Sequence, residues 1–306
     1  MIYSLVHPGS GLGNQLHRII AGKVLALDKG YEYSVIGREN FKGKSFMNLD
    51  MGRINDLTHT IQEGTGKILL DIPYRPQCPN VWEEETNYYN PEFSFIEDDT
   101  IIDGDFQDER YFGHRLREID EWLSVEPLEV PDDVCVIGFR GGEYALYPDL
   151  FLPMKYWMNG VEKMKEINPD MKFRVVTDDP ELAKTLFPFE VTHEIGHDWR
   201  SIRFAKYSII PNSSFYILPR LLRHRKKSTQ EVLDKIHDVA KWAKEWKGEG
   251  WEEKLLSKDW VEVQLGPIIK QDYPNDPVTI APVYWSGHNK KEWNQPQNYY
   301  RPFLYI

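Results

Sequence analysis

The chain opens with Ile2-Tyr-Ser-Leu-Val-His-Pro-Gly-Ser-Gly-Leu-Gly-Asn-Gln15, an apolar run that empties into glycines and then starts a helical pattern. Glycine reaches backbone conformations closed to other residues and lets a ligand approach the main chain, while a helix start offers unpaired N–H groups to an anion or a sugar. A strand, a glycine turn and a helix in that order restrict the chain to an α/β fold with a binding site at the strand exit. The loop is not a P-loop, because no Gly-Lys-Ser/Thr follows, and Gly9, Gly11 and Gly13 do not have the G-x-G-x-x-G spacing of a dinucleotide fold.

The same unit recurs. Leu16, Ile19, Ile20, Val24 and Leu27 keep helical spacing, and a second strand is expected at 31–36. Residues 38–100 are polar and irregular apart from an apolar strand at 68–72. Ile101-Ile102 leads into Asp103-Gly-Asp-Phe-Gln-Asp-Glu-Arg-Tyr-Phe112 and a helical pattern through Trp122, and a Pro-rich acidic stretch at 125–133 reads as a linker. Beyond it, strands are expected at 134–139, 172–177, 190–194 and 208–210, with helices at 153–167, after Pro180, at 201–206 and from Asn212-Ser-Ser214 through Leu222. Strands alternating with helices give parallel sheets whose ligands bind beyond the carboxyl ends of the strands. Ser228-Thr-Gln-Glu231 fits a capping box and opens an added helical segment, and the aromatic tail from 278 is expected to pack back over the domains.

Composition narrows the partners. A formal charge of −11 argues against a general nucleic-acid binder and favours small-molecule ligands. Cys78 and Cys135, the two cysteines, cannot build a disulfide framework or a zinc site by themselves, so free buried thiols are expected. With no apolar run of membrane-spanning length and no signal-peptide pattern, the expectation is a cytoplasmic protein without a transmembrane segment. The oligomeric state is not legible.

Five segments, in order, resemble the α-1,2-fucosyltransferases of the wider α-1,2/α-1,6/protein O-fucosyltransferase superfamily. Gly9-Ser-Gly-Leu-Gly-Asn-Gln15 is similar to that family's GGLGNQ opening, and Phe106-Gln107 with Tyr111-Phe112 to its F-Q-x-x-x-Y-F segment. Gly138-Phe-Arg-Gly-Gly-Glu-Tyr144 stands where the family has H-x-R-R-G-D-Y, followed by Leu-Pro-x-x-Tyr-Trp157. Val176-Thr-Asp-Asp-Pro180 resembles F-S-D-D-P, and Ser208-Ile-Ile-Pro-Asn-Ser-Ser-Phe215 resembles I-I-A-N-S-S-F-S-W-W. Gly138, Gly141 and Glu143 replace the family's His, second Arg and Asp, leaving Arg140 as the remaining member of the basic pair.

The resemblance implies a GT-B architecture: two Rossmann-like domains facing across a cleft, with the added helical segment. The expected division is an acceptor-side domain at 1–125, a donor-nucleotide domain at 126–277 that includes the helical insertion at 223–276, and the tail at 278–306. The implied activity is inverting, metal-independent transfer of fucose or a related sugar from a GDP-sugar to a glycan hydroxyl, with no cofactor beyond the donor substrate GDP-fucose. Arg140, Glu143 and Asn14 are the candidate catalytic residues. Arg140 suits developing diphosphate charge because its planar fork grips two phosphate oxygens. Glu143 is either the general base or a helix-start acid.

Gly11, Gly13, Gln15, Asp178, Asp179, Ser213, Ser214 and Phe215 are the candidate substrate- and donor-binding residues. The Asn14-Gln15 amides suit sugar hydroxyls, and Ser213-Ser214 sit at a helix start that favours phosphate. Asp178 and Asp179 either meet the nucleoside or cap the next helix, and Asn212 reads as structural. Arg200, Arg203 and Lys206 are alternative cations, and the basic run from Arg220 to Lys227 reads as a solvated helix end. Two rivals stand beside this reading: a non-catalytic carbohydrate- or nucleotide-binding protein on the same fold, and a metal-dependent transferase using Asp103-Gly-Asp105.

Overall fold

The computed structural model describes residues 1–55, 58–61, 68–71, 80–83, 90–147, 150–223 and 277–281. The helical segment beyond residue 223, the tail from 282 and Cys78 lie outside them. The chain divides into two compact units, Met1–Ser124 and Val125–Ile306. The α/β class with parallel sheets expected from the sequence is the class observed.

In the first unit, β1 (Ile2–Leu5) runs into α1 (Leu12–Lys29) and returns as β2 (Tyr33–Ile36). The other strands are β3 (Thr58–Ile61), β4 (Ile68–Asp71), β5 (Asn80–Glu83) and β6 (Thr100–Asp103). Four of these make a parallel sheet in the order β2-β1-β6-β5, while β3 and β4 pair antiparallel apart from it. Every residue of β1 and β2 is buried, as expected of strands covered on both faces. The unit closes with α2 (Leu116–Trp122).

The second unit is built from β7 (Val134–Phe139), α3 (Met154–Ile167), β8 (Lys172–Thr177), α4 (Pro180–Leu186), β9 (Glu190–Thr192), α5 (Ile195–Phe204), β10 (Tyr207–Ile209), α6 (Ser214–Arg223) and β11 (Val278–Ile280). Its five parallel strands lie in the order β11-β10-β7-β8-β9. The chain winds one way from β7 to β9, then crosses back to place β10 on the other side of β7. That reversal is a topological switch point between β7 and β10, the place where open α/β sheets bind ligands.

The core beneath this sheet joins Ile137, Phe139, Tyr156, Trp157, Val175, Phe187 and Ile209. Phe139 meets Trp157 and Phe187 edge-on, at 5.7 and 5.2 Å between ring centres. Such contacts lock the end of β7, from which Arg140 emerges. Cys135 is buried, and burial pushes its thiol pKa well up.

Three expectations need correcting. The helix read at 201–206 begins earlier, at Ile195, because Glu194 caps it by accepting from the Gly196 and His197 N–H groups. The start of the tail, expected to pack back over the domains, is a strand instead: Val278–Ile280 joins the second sheet as its edge strand beside β10. Arg220 is not solvated but fully buried, donating to Thr279 Oγ1 and to the carbonyls of Ala205, Ile202 and Val278.

Candidate functional site

At the switch point of the second unit, two polar exits meet the same end of the sheet. One is Arg140 with the following turn Gly142–Leu146, and the other is the start of α6 at Ser213-Ser214. The Ser213 carbonyl accepts from the Tyr216 and Ile217 N–H groups, both at 3.0 Å, so Ser213 occupies the helix-cap position. Ser213 and Ser214 are nearly buried. Asn212 is wholly buried, and neither of its amide atoms has a hydrogen-bond partner among the described residues. Phe215 is half-buried and packs edge-on against Trp199 at 5.7 Å.

Arg140 is held from three directions. Its Nη1 donates to Asp178 Oδ2, its Nη2 donates to Glu143 Oε1 at 3.3 Å, and the Tyr144 ring lies 5.2 Å from the guanidinium carbon. Nε is buried without a hydrogen bond among the described residues. Asp178 also accepts from the Gly141 N–H at 3.0 Å. Burial raises the Asp178 pKa, an effect opposed by the Arg140 charge and the Gly141 hydrogen bond. Gly142 has φ +29°, and a Cβ there would come within 2.2 Å of Asp178 Oδ2, so the turn closes on this carboxylate only because residue 142 is glycine.

The open alternatives at 178 and 179 divide. Asp179 caps α4 through Oδ1, which accepts from Leu182 N at 3.0 Å, and Asp178 anchors Arg140. Of the alternative cations, Arg203 is buried, Arg200 Nε donates to the Gly196 carbonyl at 3.1 Å, and Lys206 lies 3.5 Å from Asp132.

Gly138 shows why no larger residue stands at that position. A Cβ built on it would fall 2.3 Å from Tyr216 Cδ1. The Tyr216 ring is buried, and its hydroxyl donates to the Phe139 carbonyl at 3.0 Å, with the Val176 carbonyl at 3.4 Å. Tyr216 thus ties the first turn of α6 to the exits of β7 and β8. Sequence reading missed it, because nothing in either segment signals that a tyrosine 78 positions later fills the space left by a glycine.

The first unit carries its own polar exits at its switch point between β1 and β6. Gly11 stands at the start of α1 with open space beside it, and Gly13 is buried with its carbonyl meeting His17 Nδ1 at 2.8 Å. Asn14 Oδ1 accepts from Gln107 Nε2 at 2.9 Å. Gln15 is fully buried; its Nε2 donates to the Asn40 carbonyl and its Oε1 accepts from Lys42 N, both at 2.9 Å. Gln15 thus pins the loop after β2 with both of its amide atoms.

The exit of β6 is a strained turn, with Phe106 at φ +46° held between Phe93 and Tyr111. The two carboxylates of the D-x-D face basic groups, Asp103 with His7 at 2.7 Å and Asp105 with Arg18 at 3.1 Å. Among the described residues no group of three or more His, Cys, Asp or Glu side chains is arranged to hold a metal ion. None of the described helices is long and apolar enough to cross a membrane.

The second unit is therefore a doubly wound α/β unit with an arginine and a helix start at its switch point. No family model matches the chain, and no curated protein matches it. Solved structures do. The fucosyltransferase NodZ from Bradyrhizobium is similar at 13% identity and a TM-score of 0.40, over 72% of this chain and 92% of that one. NodZ α-1,6-fucosyltransferase co-crystallized with GDP gives 13% and 0.39, over 72% and 91%, and the same enzyme soaked with GDP-fucose gives 13% and 0.38 over the same shares.

Proposed function

We propose that this protein is a glycosyltransferase that binds a GDP-sugar and transfers its sugar, fucose in the first instance, to a glycan hydroxyl with inversion and without a metal ion. The likeness to the NodZ structures is too distant to carry this reading. The observation that carries it is the convergence of Arg140 and the Ser213-Ser214 helix start at one switch point, in a chain whose motifs resemble a family that uses GDP-sugars.

In such a transfer the acceptor oxygen attacks the anomeric carbon from the side opposite the diphosphate. The bond to the leaving phosphate oxygen breaks, and the hydroxyl proton passes to a base. Negative charge grows on the β-phosphate, where the Arg140 guanidinium and the N–H groups of the first turn of α6 stabilise it electrostatically. Asn14 and Gly11, at the start of α1, are the groups of the first unit assigned to the acceptor.

A charged hydrogen bond of this kind is worth about 2 to 4 kcal/mol, so Arg140→Ala is expected to weaken GDP-sugar binding or turnover by about 30-fold to about 1000-fold with the fold intact. Arg140→Lys keeps the charge but loses the fork, and is expected to cost binding or rate as well. Isothermal titration of both variants checks this; unchanged GDP affinity in Arg140→Ala would overturn the donor site. A second reading, a binding protein without turnover, draws on one observation: Arg140 already faces two carboxylates, Asp178 and Glu143. GDP binding with no transfer to any of a panel of glycans would favour it.

A further inference from the structure

The two carboxylates on Arg140 are not equivalent. Asp178 is the inner one, with a side chain 27% exposed, fixed by the Gly141 N–H and enclosed by the Gly141-Gly142 turn. Glu143 is the outer one, 67% exposed and joined to the guanidinium by a single contact of 3.3 Å. An ion pair this exposed contributes little and exchanges readily with solvent. Nη1 is thus engaged by Asp178. Nε is buried without a hydrogen bond among the described residues, and Nη2 meets Glu143 Oε1. Nη2 is therefore the donor of Arg140 for which an incoming phosphate oxygen competes directly with Glu143.

We infer that the Glu143 carboxylate is an internal stand-in for the ligand's phosphate, occupying Nη2 of Arg140 and leaving it when a nucleoside diphosphate binds. The inference rests on the donor site proposed above and assigns Glu143 a role other than general base. Glu143 has two effects on an incoming diphosphate: it competes for the same donor, and its charge repels the anion. It selects against weakly charged ligands, because only a group with more charge than a carboxylate gains by the exchange. Tyr144, stacked on the guanidinium, holds the plane of Arg140 while one anion replaces the other.

The test is titration of the wild-type chain, Glu143→Gln and Glu143→Ala with GDP, inorganic pyrophosphate and guanosine. Both variants are expected to bind GDP and pyrophosphate about 3-fold to 10-fold more tightly than wild type, with the gain shrinking at high salt and absent for guanosine. Equal or weaker binding of both anions by the variants overturns the inference. Tighter pyrophosphate binding with no GDP binding by any of the proteins sustains the inference and overturns the nucleotide reading. No binding of either anion to any of the proteins overturns both.

Discussion

Gly138 and Tyr216 fit as a pair, and the fit is measurable. Gly138→Ala places a methyl where the buried Tyr216 ring lies, 2.3 Å from Cδ1, and overpacking of this kind costs about 1 to 3 kcal/mol. Tyr216→Ala alone opens a cavity at a cost of about 3 to 5 kcal/mol. In the double variant the methyl no longer clashes, so urea denaturation is expected to give a double-variant cost clearly below the sum of the single ones; additive costs would show that the two residues do not compete for space. His17 gives a second residue-scale prediction. It is buried against Gly13 and Phe112, and burial lowers its pKa from 6.5 to about 4. The folded state therefore binds fewer protons than the unfolded chain between those values. Its stabilising effect is complete above pH 6.5 and is lost as pH falls toward 4, a loss of up to about 3 kcal/mol. Unfolding free energies of wild type and His17→Gln across that window check it: the variant, which cannot titrate, is expected to give the flatter profile. Arg140 and Ser213 were legible in the sequence because each follows an apolar strand in a turn signal. The partners that define Arg140's state were not, since Asp178 is brought to it by the pairing of β7 with β8 rather than by any local pattern.

Elements show the same division between local signal and assembly. The central strand β7 reads clearly because it is a continuous apolar run ending in a polar exit, and β8 because Phe173, Val175 and Val176 lead into the Asp178-Asp179-Pro180 turn. In contrast, β5 and β11 are short edge strands whose residues become strand through pairing with β6 and β10. Arg220 explains how β11 is held. From inside α6 it donates to the end of α5 and to both Val278 and Thr279, so one side chain fastens two helices and the edge strand. The basic run from Arg220 to Lys227 suggested a solvated helix end, and the burial of Arg220 between α5 and β11 sets it apart from that reading. Arg220→Met keeps the length of the side chain but leaves buried carbonyls unpaired, and is expected to cost about 2 to 4 kcal/mol. Hydrogen exchange should then quicken at Val278–Ile280 before it does in β7 or β8. Unchanged protection of β11 would show that the backbone ladder holds the strand without the arginine.

For the whole molecule, the net charge of −11 opposes any anionic ligand at long range, so a diphosphate site has to rely on local donors. The second unit concentrates such donors at its switch point: the Arg140 fork and the first turn of α6. A ligand that uses them stabilises the folded state by mass action, by about 2.7 kcal/mol when present at about 100 times its dissociation constant. GDP is therefore expected to raise the melting temperature of the intact chain more than UDP, ADP or NAD does. The rise is expected to persist in EDTA, because the charge of the diphosphate is met by the guanidinium and helix-start N–H groups instead of by an ion bridging Asp103 and Asp105. Asp105→Ala, which removes a carboxylate that faces Arg18 within the first unit, is expected to leave the GDP-induced shift unchanged. Melting curves for wild type and this variant, with each nucleotide and with or without chelator, decide among the readings. A preference for UDP or NAD would reassign the donor. A shift that vanishes in EDTA and returns with Mn²⁺ or Mg²⁺ would transfer the diphosphate from Arg140 to the Asp103-Gly-Asp105 turn.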